Sequence, residues 1–272
     1  MCDNDTFPPA ACTARISSCL EIAPMVFELA MERLVSAAGS IPETRVSLPL
    51  PGQFFMLRAK PSSVFLGRPI SVYFSDDKTI TFLVLKKGKG TAELCSLREG
   101  DAVDIIGPIG NCFAPPDELV SSLALRAEPR VAVIGGGIGV APVIGFALAL
   151  KERSFDFYAS FRSSPYGIDR VAKRAERVIV TTEDGSAGIK GMLPAVFNPS
   201  AYDLVYACGP TAMLSYVQRA CAQSGSALVF LSLEQRMACG AGACLGCTVR
   251  TINGNRRCCV DGPVFDASEV IL

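Results

Sequence analysis

Four cysteines near the end of the chain have the type and spacing to do redox chemistry. Cys239, Cys244 and Cys247 form C-x4-C-x2-C, and Cys259 follows twelve residues after Cys247. Four thiolates at such a spacing hold the two irons of a plant-type 2Fe–2S cluster. Glycines and alanines fill the gaps between Cys239 and Cys247. They let a tight loop bend around a cluster and aim backbone N–H groups at its sulfurs. The alternative is a zinc site or a set of structural cysteines. Zinc ribbons place their ligands as two C-x2-C pairs, so the four-residue first gap favours the cluster. Cys258, beside Cys259, is a second candidate for the fourth ligand. A cluster of this kind carries one electron at a time, and the chain is expected to move electrons.

Four further segments carry candidate chemistry. Gly135, Gly136, Gly137 and Gly139 lie between an apolar run and a helix-like run that includes Pro142. A glycine turn there lets the backbone approach a pyrophosphate, with the helix start supplying N–H donors. The spacing is not G-x-G-x-x-G, and a tight structural turn is the plain alternative. Cys208, Gly209 and Pro210 end another apolar run. In an open parallel sheet ligands bind at the carboxyl ends of the strands, so Cys208 is expected to face the same crevice as the glycines. Arg68-Pro69-Ile70-Ser71 lies much earlier. Its guanidinium suits a phosphate and its hydroxyl suits a ring nitrogen. Downstream, Lys86 to Thr91 ends in Gly90-Thr91, a pair able to donate to phosphate; from residue type alone this segment reads as a solvated turn.

These residues need two kinds of scaffold. From about Thr13 to Gly110, short apolar runs are cut by Gly and Pro. Gly52–Arg58, Pro69–Phe74, Thr79–Leu85 and Gly100–Pro108 read as strands of a small antiparallel barrel. Leu20 to Ala38 is ambiguous, and a strand at Met25–Ala30 is preferred over a helix. From about Glu128 the rhythm changes. Strands at Arg130–Ile134, Phe155–Phe161, Arg177–Thr182, Asp203–Ala207 and Ala227–Leu233 alternate with helical segments, one running towards Lys151 and another at Thr211–Ser224. That alternation implies a parallel sheet covered on both faces. The fold class expected is α+β and multidomain: a barrel over 13–112, an α/β domain over 113–232 and a cysteine module over 233–272.

Bulk composition narrows the function. The 272 residues are 50% hydrophobic, Lys plus Arg and Asp plus Glu are both 26, and there is no histidine. With no basic run, nucleic acid is not an expected partner. Without histidine a Rieske centre, a His-ligated haem and a Ser-His-Asp triad are excluded. The N-terminus does not read as a signal peptide, and the apolar stretch Ile138–Leu150 is too short to span a bilayer. Most of the twelve cysteines then read as free thiols or cluster ligands in a reducing cytoplasm.

Together, Arg68-Pro-x-Ser71, the glycine turn ending in Ala-Pro142, Cys208-Gly-Pro210-x-x-Met213 and the cysteine loop resemble the ferredoxin reductase superfamily. Within it, the ending Cys259-x-Asp-Gly-Pro-Val-Phe-Asp-Ala-x-Glu-Val-Ile-Leu272 is similar to the electron transfer subunits of dihydroorotate dehydrogenase B. The resemblance runs from about Thr13 to Leu272. It implies FAD in the barrel, NAD in the α/β domain and 2Fe–2S at the C-terminus. It implies flavin contacts at Arg68, Pro69, Ile70, Ser71, Leu83, Val84, Leu85, Gly90 and Thr91, with Gly135–Gly137, Gly139, Gly209 and Pro210 binding nucleotide and Cys208 beside the reacting ring. It further implies cluster ligation by Cys239, Cys244, Cys247 and Cys259, the Cys-x-Asp-Gly-Pro register favouring Cys259 over Cys258. The implied partner is a catalytic FMN-containing subunit, in a heterotetramer of two plus two, acting in pyrimidine biosynthesis. On chemistry alone NADP stays open, because Arg162 and Ser163 follow the second strand where a 2′-phosphate would sit; the resemblance implies NAD. The rival enzyme reading is the small subunit of an NADH-dependent ferredoxin:NADP oxidoreductase or a sulfide dehydrogenase, where an aspartate can replace one cluster cysteine.

Overall fold

A computed structural model of the chain describes residues 9–33, 46–123, 126–150, 153–225 and 227–272. Six antiparallel strands close a barrel: β1 (Ala10–Ala23), β2 (Val26–Glu32), β3 (Phe54–Lys60), β4 (Arg68–Ser75), β5 (Thr79–Leu85) and β6 (Ala102–Ile109), in the order β1-β2-β5-β4-β3-β6. In β6 alternation is plain, with Val103 and Ile105 inward, as the two-residue period of a strand dictates. β5 is buried on both sides. Ile80, Phe82 and Val84 fill the barrel, while Leu83 points into the core of the second domain. The preferred strand at Met25–Ala30 is β2, although Met25 itself sits in the turn before it at φ 67°. Residues 1–8, and the part of the Leu20–Ala38 segment beyond Arg33, lie outside the described residues. The expected solvated turn at Lys86–Thr91 is corrected. A short helix, α1 (Lys89–Leu94), starts there, with Gly88 as its N-cap and the Thr91 hydroxyl closing its first turn.

The second layer is a sheet of seven strands. After α2 (Pro116–Leu123) come β7 (Val131–Gly136), a 3-10 turn at Gly137–Gly139, α3 (Val140–Ala149), β8 (Phe155–Phe161), α4 (Asp169–Ala172), β9 (Arg177–Thr182), β10 (Ile189–Lys190), β11 (Leu204–Cys208), α5 (Thr211–Ser224) and β12 (Leu228–Ser232). All these strands pair in parallel, in the order β10-β9-β8-β7-β11-β12. β7 is buried throughout, as a strand covered on both faces must be. Its Val131 and Val133 face α3, and its Ala132 and Ile134 face α5. The Lys151 end of the expected helix lies outside the described residues.

The cysteine module does not hang free from this sheet. It contains a hairpin of β13 (Thr248–Thr251) and β14 (Gly254–Arg257), and its β15 (Val264–Asp266) returns to pair antiparallel with β12. One core joins Phe54, Met56 and Ile109 of the barrel to Ile134 and Val205 of the sheet and to Cys247, Cys258 and Phe265 of the module. Among the described residues no helix is long and apolar enough to cross a membrane.

Candidate functional site: a crevice between barrel, sheet and cysteine loop

The hairpin explains how a twelve-residue separation brings cysteines together. Thr248 pairs with Arg257, so Cys247 just before β13 meets Cys258 and Cys259 just after β14. The Cys258 N–H donates to the Cys247 carbonyl at 3.0 Å. Arg257 and Asp261 then fix the turn that follows. The Arg257 N–H and Nε–H both donate to Asp261, at 2.6 and 3.2 Å, and the Asp261 N–H returns to the Arg257 carbonyl at 2.7 Å.

Two cysteine pairs result. Cys239 and Cys244 form an outer pair joined through their side chains, and Cys247 and Cys259 form a buried one. Cys259 also feels the charge of Cys239, so the two pairs are neighbours. Backbone N–H groups of Ala241 and Gly246 point at the sulfurs of Cys239 and Cys244, at 3.4 and 3.5 Å. The Ala241 N–H, then the Cys244 N–H and thiol, lower the Cys239 thiol to about 6. Burial, followed by the bond to Cys247, raises Cys259 to about 11. Among the described residues no three His, Cys, Asp or Glu side chains converge on one point for a single ion. Two neighbouring pairs under backbone N–H groups instead fit four thiolates sharing two irons. Cys258 turns away. Its Sγ–H donates to the Leu233 carbonyl at 3.3 Å, and burial lifts its thiol to about 12.

The barrel residues expected at the flavin lie on β4, on β5 and at the start of α1. The Arg68 guanidinium is folded over Gly90: a Cβ at Gly90 would lie 2.6 Å from Arg68 Nε. Arg68 Nη1 donates to the Leu66 and Gly67 carbonyls, both at 3.2 Å. Carbonyls hold the group in place without cancelling its charge, which stays available to an anion. The Thr91 hydroxyl is already committed. It donates to the Gly88 carbonyl and accepts the N–H groups of Lys87 and Gly88. The backbone N–H groups of the first helical turn are the donors left for phosphate. Pro69, Ile70 and Ser71 are half-buried on β4, and Leu83 and Val84 are buried on β5.

In the sheet, Cys208 and Gly135 are register partners at the carboxyl ends of β11 and β7, so the expected juxtaposition is present. The glycines there differ in what they do. A Cβ on Gly139 would lie 2.7 Å from the Cys208 backbone, so that glycine is required by the packing of two chain segments. Gly137 has φ 53° and open space beyond it. It is where a ligand can meet bare backbone. The 3-10 turn also lies against β5, which sets the glycines beside the expected flavin strand. Cys208 is buried and is hydrogen-bonded with Ser232. Burial, then the nearby Glu234 carboxylate, pushes its thiol well above the ordinary range, so it is a neutral SH group here. Ser232 was not legible as a partner of Cys208, because only the pairing of β11 with β12 joins them.

A barrel, a parallel sheet and a C-terminal cysteine module in this order define a ferredoxin reductase-like fold. A solved NADH-dependent reduced ferredoxin-NADP oxidoreductase superposes with a TM-score of 0.78 and 26% identity, covering 95% of this chain and 89% of that one. A ferredoxin NADP+ reductase from Neisseria gonorrhoeae, solved with bound FAD and NADP, covers 82% of this chain and 99% of its own at TM-score 0.60 and 15% identity, and shares the fold alone. Residues 234–271 match the iron-sulfur cluster binding domain of dihydroorotate dehydrogenase B. The electron transfer subunit of dihydroorotate dehydrogenase B (NAD(+)) from Clostridium acetobutylicum is 45% identical over 222 residues, 82% of this chain and 86% of that one. Its counterpart from Caldanaerobacter subterraneus subsp. tengcongensis is 36% identical over 265 residues, 95% and 98% of the two chains. The chain belongs to this family of electron transfer subunits, and its activity is that of an oxidoreductase.

Proposed function

We propose that this chain relays electrons between a catalytic subunit, where dihydroorotate is oxidised at FMN, and NAD, through a 2Fe–2S cluster and FAD held by the residues above. The observation that carries the reading is the glycine turn lying against β5, with the cysteine module sharing one core with barrel and sheet. When bound, the cluster supplies single-electron transfer, and the flavin supplies conversion between single electrons and hydride.

The chain's own residues have the following roles. Cys239, Cys244, Cys247 and Cys259 hold the irons, and Cys258 does not. Arg68 and the first N–H groups of α1, at Gly90 and Thr91, take the flavin phosphates. Pro69, Ile70, Ser71 and Leu83 to Leu85 line the flavin. Gly135 to Gly137, Gly139, Gly209 and Pro210 receive the dinucleotide, with Gly137 at the pyrophosphate. Cys208 sits beside the nicotinamide as an uncharged thiol. Residues 13–112, 113–232 and 233–272 divide these tasks. The preference for NAD rather than NADP rests on the family. The partner is a catalytic subunit, assembled two plus two, in the cytoplasm.

Stopped-flow traces test the relay. NADH should reduce the FAD of the isolated chain. Dihydroorotate should reduce it only when the catalytic subunit is present and the cluster is loaded. Reduction by dihydroorotate in the isolated chain, or in a cluster-free complex, overturns the reading.

A further inference from the structure

Asn111 lies just after β6, in the connection from barrel to sheet. It makes an unusual set of bonds to a segment 150 residues away. Its backbone N–H donates to the Gly262 carbonyl at 2.7 Å. Its Nδ2 donates to the carbonyls of Val264 at 2.8 Å and Asp261 at 3.3 Å. Its Oδ1 accepts the Val264 N–H at 2.9 Å. The amide thus reads both faces of one peptide segment, as a neighbouring strand would. That segment begins two residues after Cys259.

The contact extends to Gly110, the residue before Asn111. A Cβ on Gly110 would lie 2.6 Å from Pro263 Cδ and 2.7 Å from the Gly262 carbonyl oxygen. The Gly110 carbonyl is itself fixed by the buried Gln53 Nε2–H at 2.7 Å. A second contact closes the other half of the cysteine loop onto the barrel. A Cβ on Gly240, next to Cys239, would lie 2.9 Å from Met56 Cγ and 3.2 Å from Ile109 Cδ1. Met56 is the register partner of Pro69, in the strand proposed to line the flavin. Both ends of the cysteine set are therefore seated on the barrel, one by apolar contact and one by the Asn111 amide.

We propose that Asn111 is a positioning residue for one-electron exchange between the cluster and the flavin. Its amide clamps the loop carrying Cys259 to the barrel and fixes the separation of the two redox sites. This rests on the relay reading above. The amide touches neither cofactor's expected ligands, so the role is distinct from ligation. Asn111→Ala removes all three side-chain bonds. Asn111→Asp keeps the acceptor for the Val264 N–H and loses both donated bonds.

The test uses the holo chain with FAD and cluster loaded. Two rates are followed after mixing with NADH: hydride reduction of the flavin, and the later one-electron reduction of the cluster. Asn111→Ala is expected to slow the second rate by about tenfold to a hundredfold, the scale of a small misplacement of reacting groups. The first rate should stay within about twofold. Asn111→Asp should fall between Asn111→Ala and the wild type. A readout independent of turnover accompanies these rates. Amide exchange over residues 260–266 should quicken in Asn111→Ala, while exchange over β4 and β5 is unchanged. Iron content and the cluster's electron paramagnetic spectrum should be retained.

An unchanged second rate with quickened exchange overturns the clamp, as does an equal fall in both rates, which marks a general loss of structure. If Asn111→Ala loses its cofactors, Asn111→Asp decides: wild-type rates there overturn the proposal. Absence of cluster reduction in the wild type overturns the relay itself, a result separable from failure of the clamp.

Discussion

The two ends of the seven-stranded sheet are built from different materials. At the carboxyl ends of β7 and β11 stand glycines, a neutral thiol and open backbone. At the amino ends of β8 and β9 stands a paired polar network. Arg177 grips Asp156 with two bonds, of 2.9 and 2.5 Å. The Tyr202 hydroxyl donates to Asp156 at 2.7 Å and lies 2.7 Å from that of Tyr158. Burial by itself would raise the Asp156 carboxyl, but the bonds from Arg177 and Tyr202 outweigh it and hold the group below its ordinary value. One end leaves donors unspent for a ligand. The other satisfies every group it buries, as a structural network must. The contrast sets bare backbone at one end of the sheet against mutually paired side chains at the other.

The largest effect expected is on the crevice side. Cys239→Ser, Cys244→Ser, Cys247→Ser or Cys259→Ser should abolish the cluster, because a hydroxyl is a far poorer iron ligand than a thiolate. Cys258→Ser should keep it. Iron analysis and visible absorption of each purified variant decide, and full iron in any of the first four moves the ligand elsewhere. Arg68→Ala should weaken FAD binding by about 1.5–3 kcal/mol through loss of a charge-assisted contact, roughly ten- to 150-fold in Kd. Equilibrium dialysis that finds equal affinity would break the assignment.

At the opposite end the losses should be in stability alone. Asp156→Asn should cost about 1–2 kcal/mol; the higher values for charged bonds are discounted because the Arg177 side chain is 64% exposed. The lowered carboxyl sets the sign. Its contribution is full above the unfolded value near 4 and fades as pH falls through the lower folded value. Denaturant midpoints of mutant and wild type should therefore differ at pH 7 and draw together below about pH 4. A slower NADH half-reaction in this variant would blur the contrast between the two ends. A stability effect of similar size is expected at Gly137. With open space around it, Gly137→Ala should cost only about 1–2 kcal/mol for a left-handed residue, with a larger proportional loss in NADH affinity than in the denaturant midpoint.

Periodic segments could be read before any fold was known. β5, β8 and β9 alternate or run apolar with β-branched residues, and α5 ends cleanly before Gly225 at φ 63°. The Cys239–Cys247 spacing announced its chemistry for a similar reason, since ligand geometry constrains local sequence. What stayed hidden was settled by distant partners. β15 is only three residues long and follows Gly262-Pro263, and nothing local shows that β12 awaits it. α1 begins among lysines and glycines that read as a turn, and its cap needs one hydroxyl, that of Thr91. Asn111 looks like any turn asparagine until Val264 is placed beside it. That the Cys258 thiol bonds to the Leu233 carbonyl was likewise not legible, since Leu233 lies 25 residues away.

The return of β15 to the sheet also bears on quality control. Its two edges end in very short strands: β10, two residues including Lys190, and β15. Short and charged edges discourage pairing with other chains. A chain broken between Arg257 and Val264 would leave the N–H and carbonyl row of β12 uncovered, a template for aggregation. The same break removes Cys259 or separates it from its seat on Asn111. A chain broken there would therefore lose the cover of β12 and a proposed cluster ligand together.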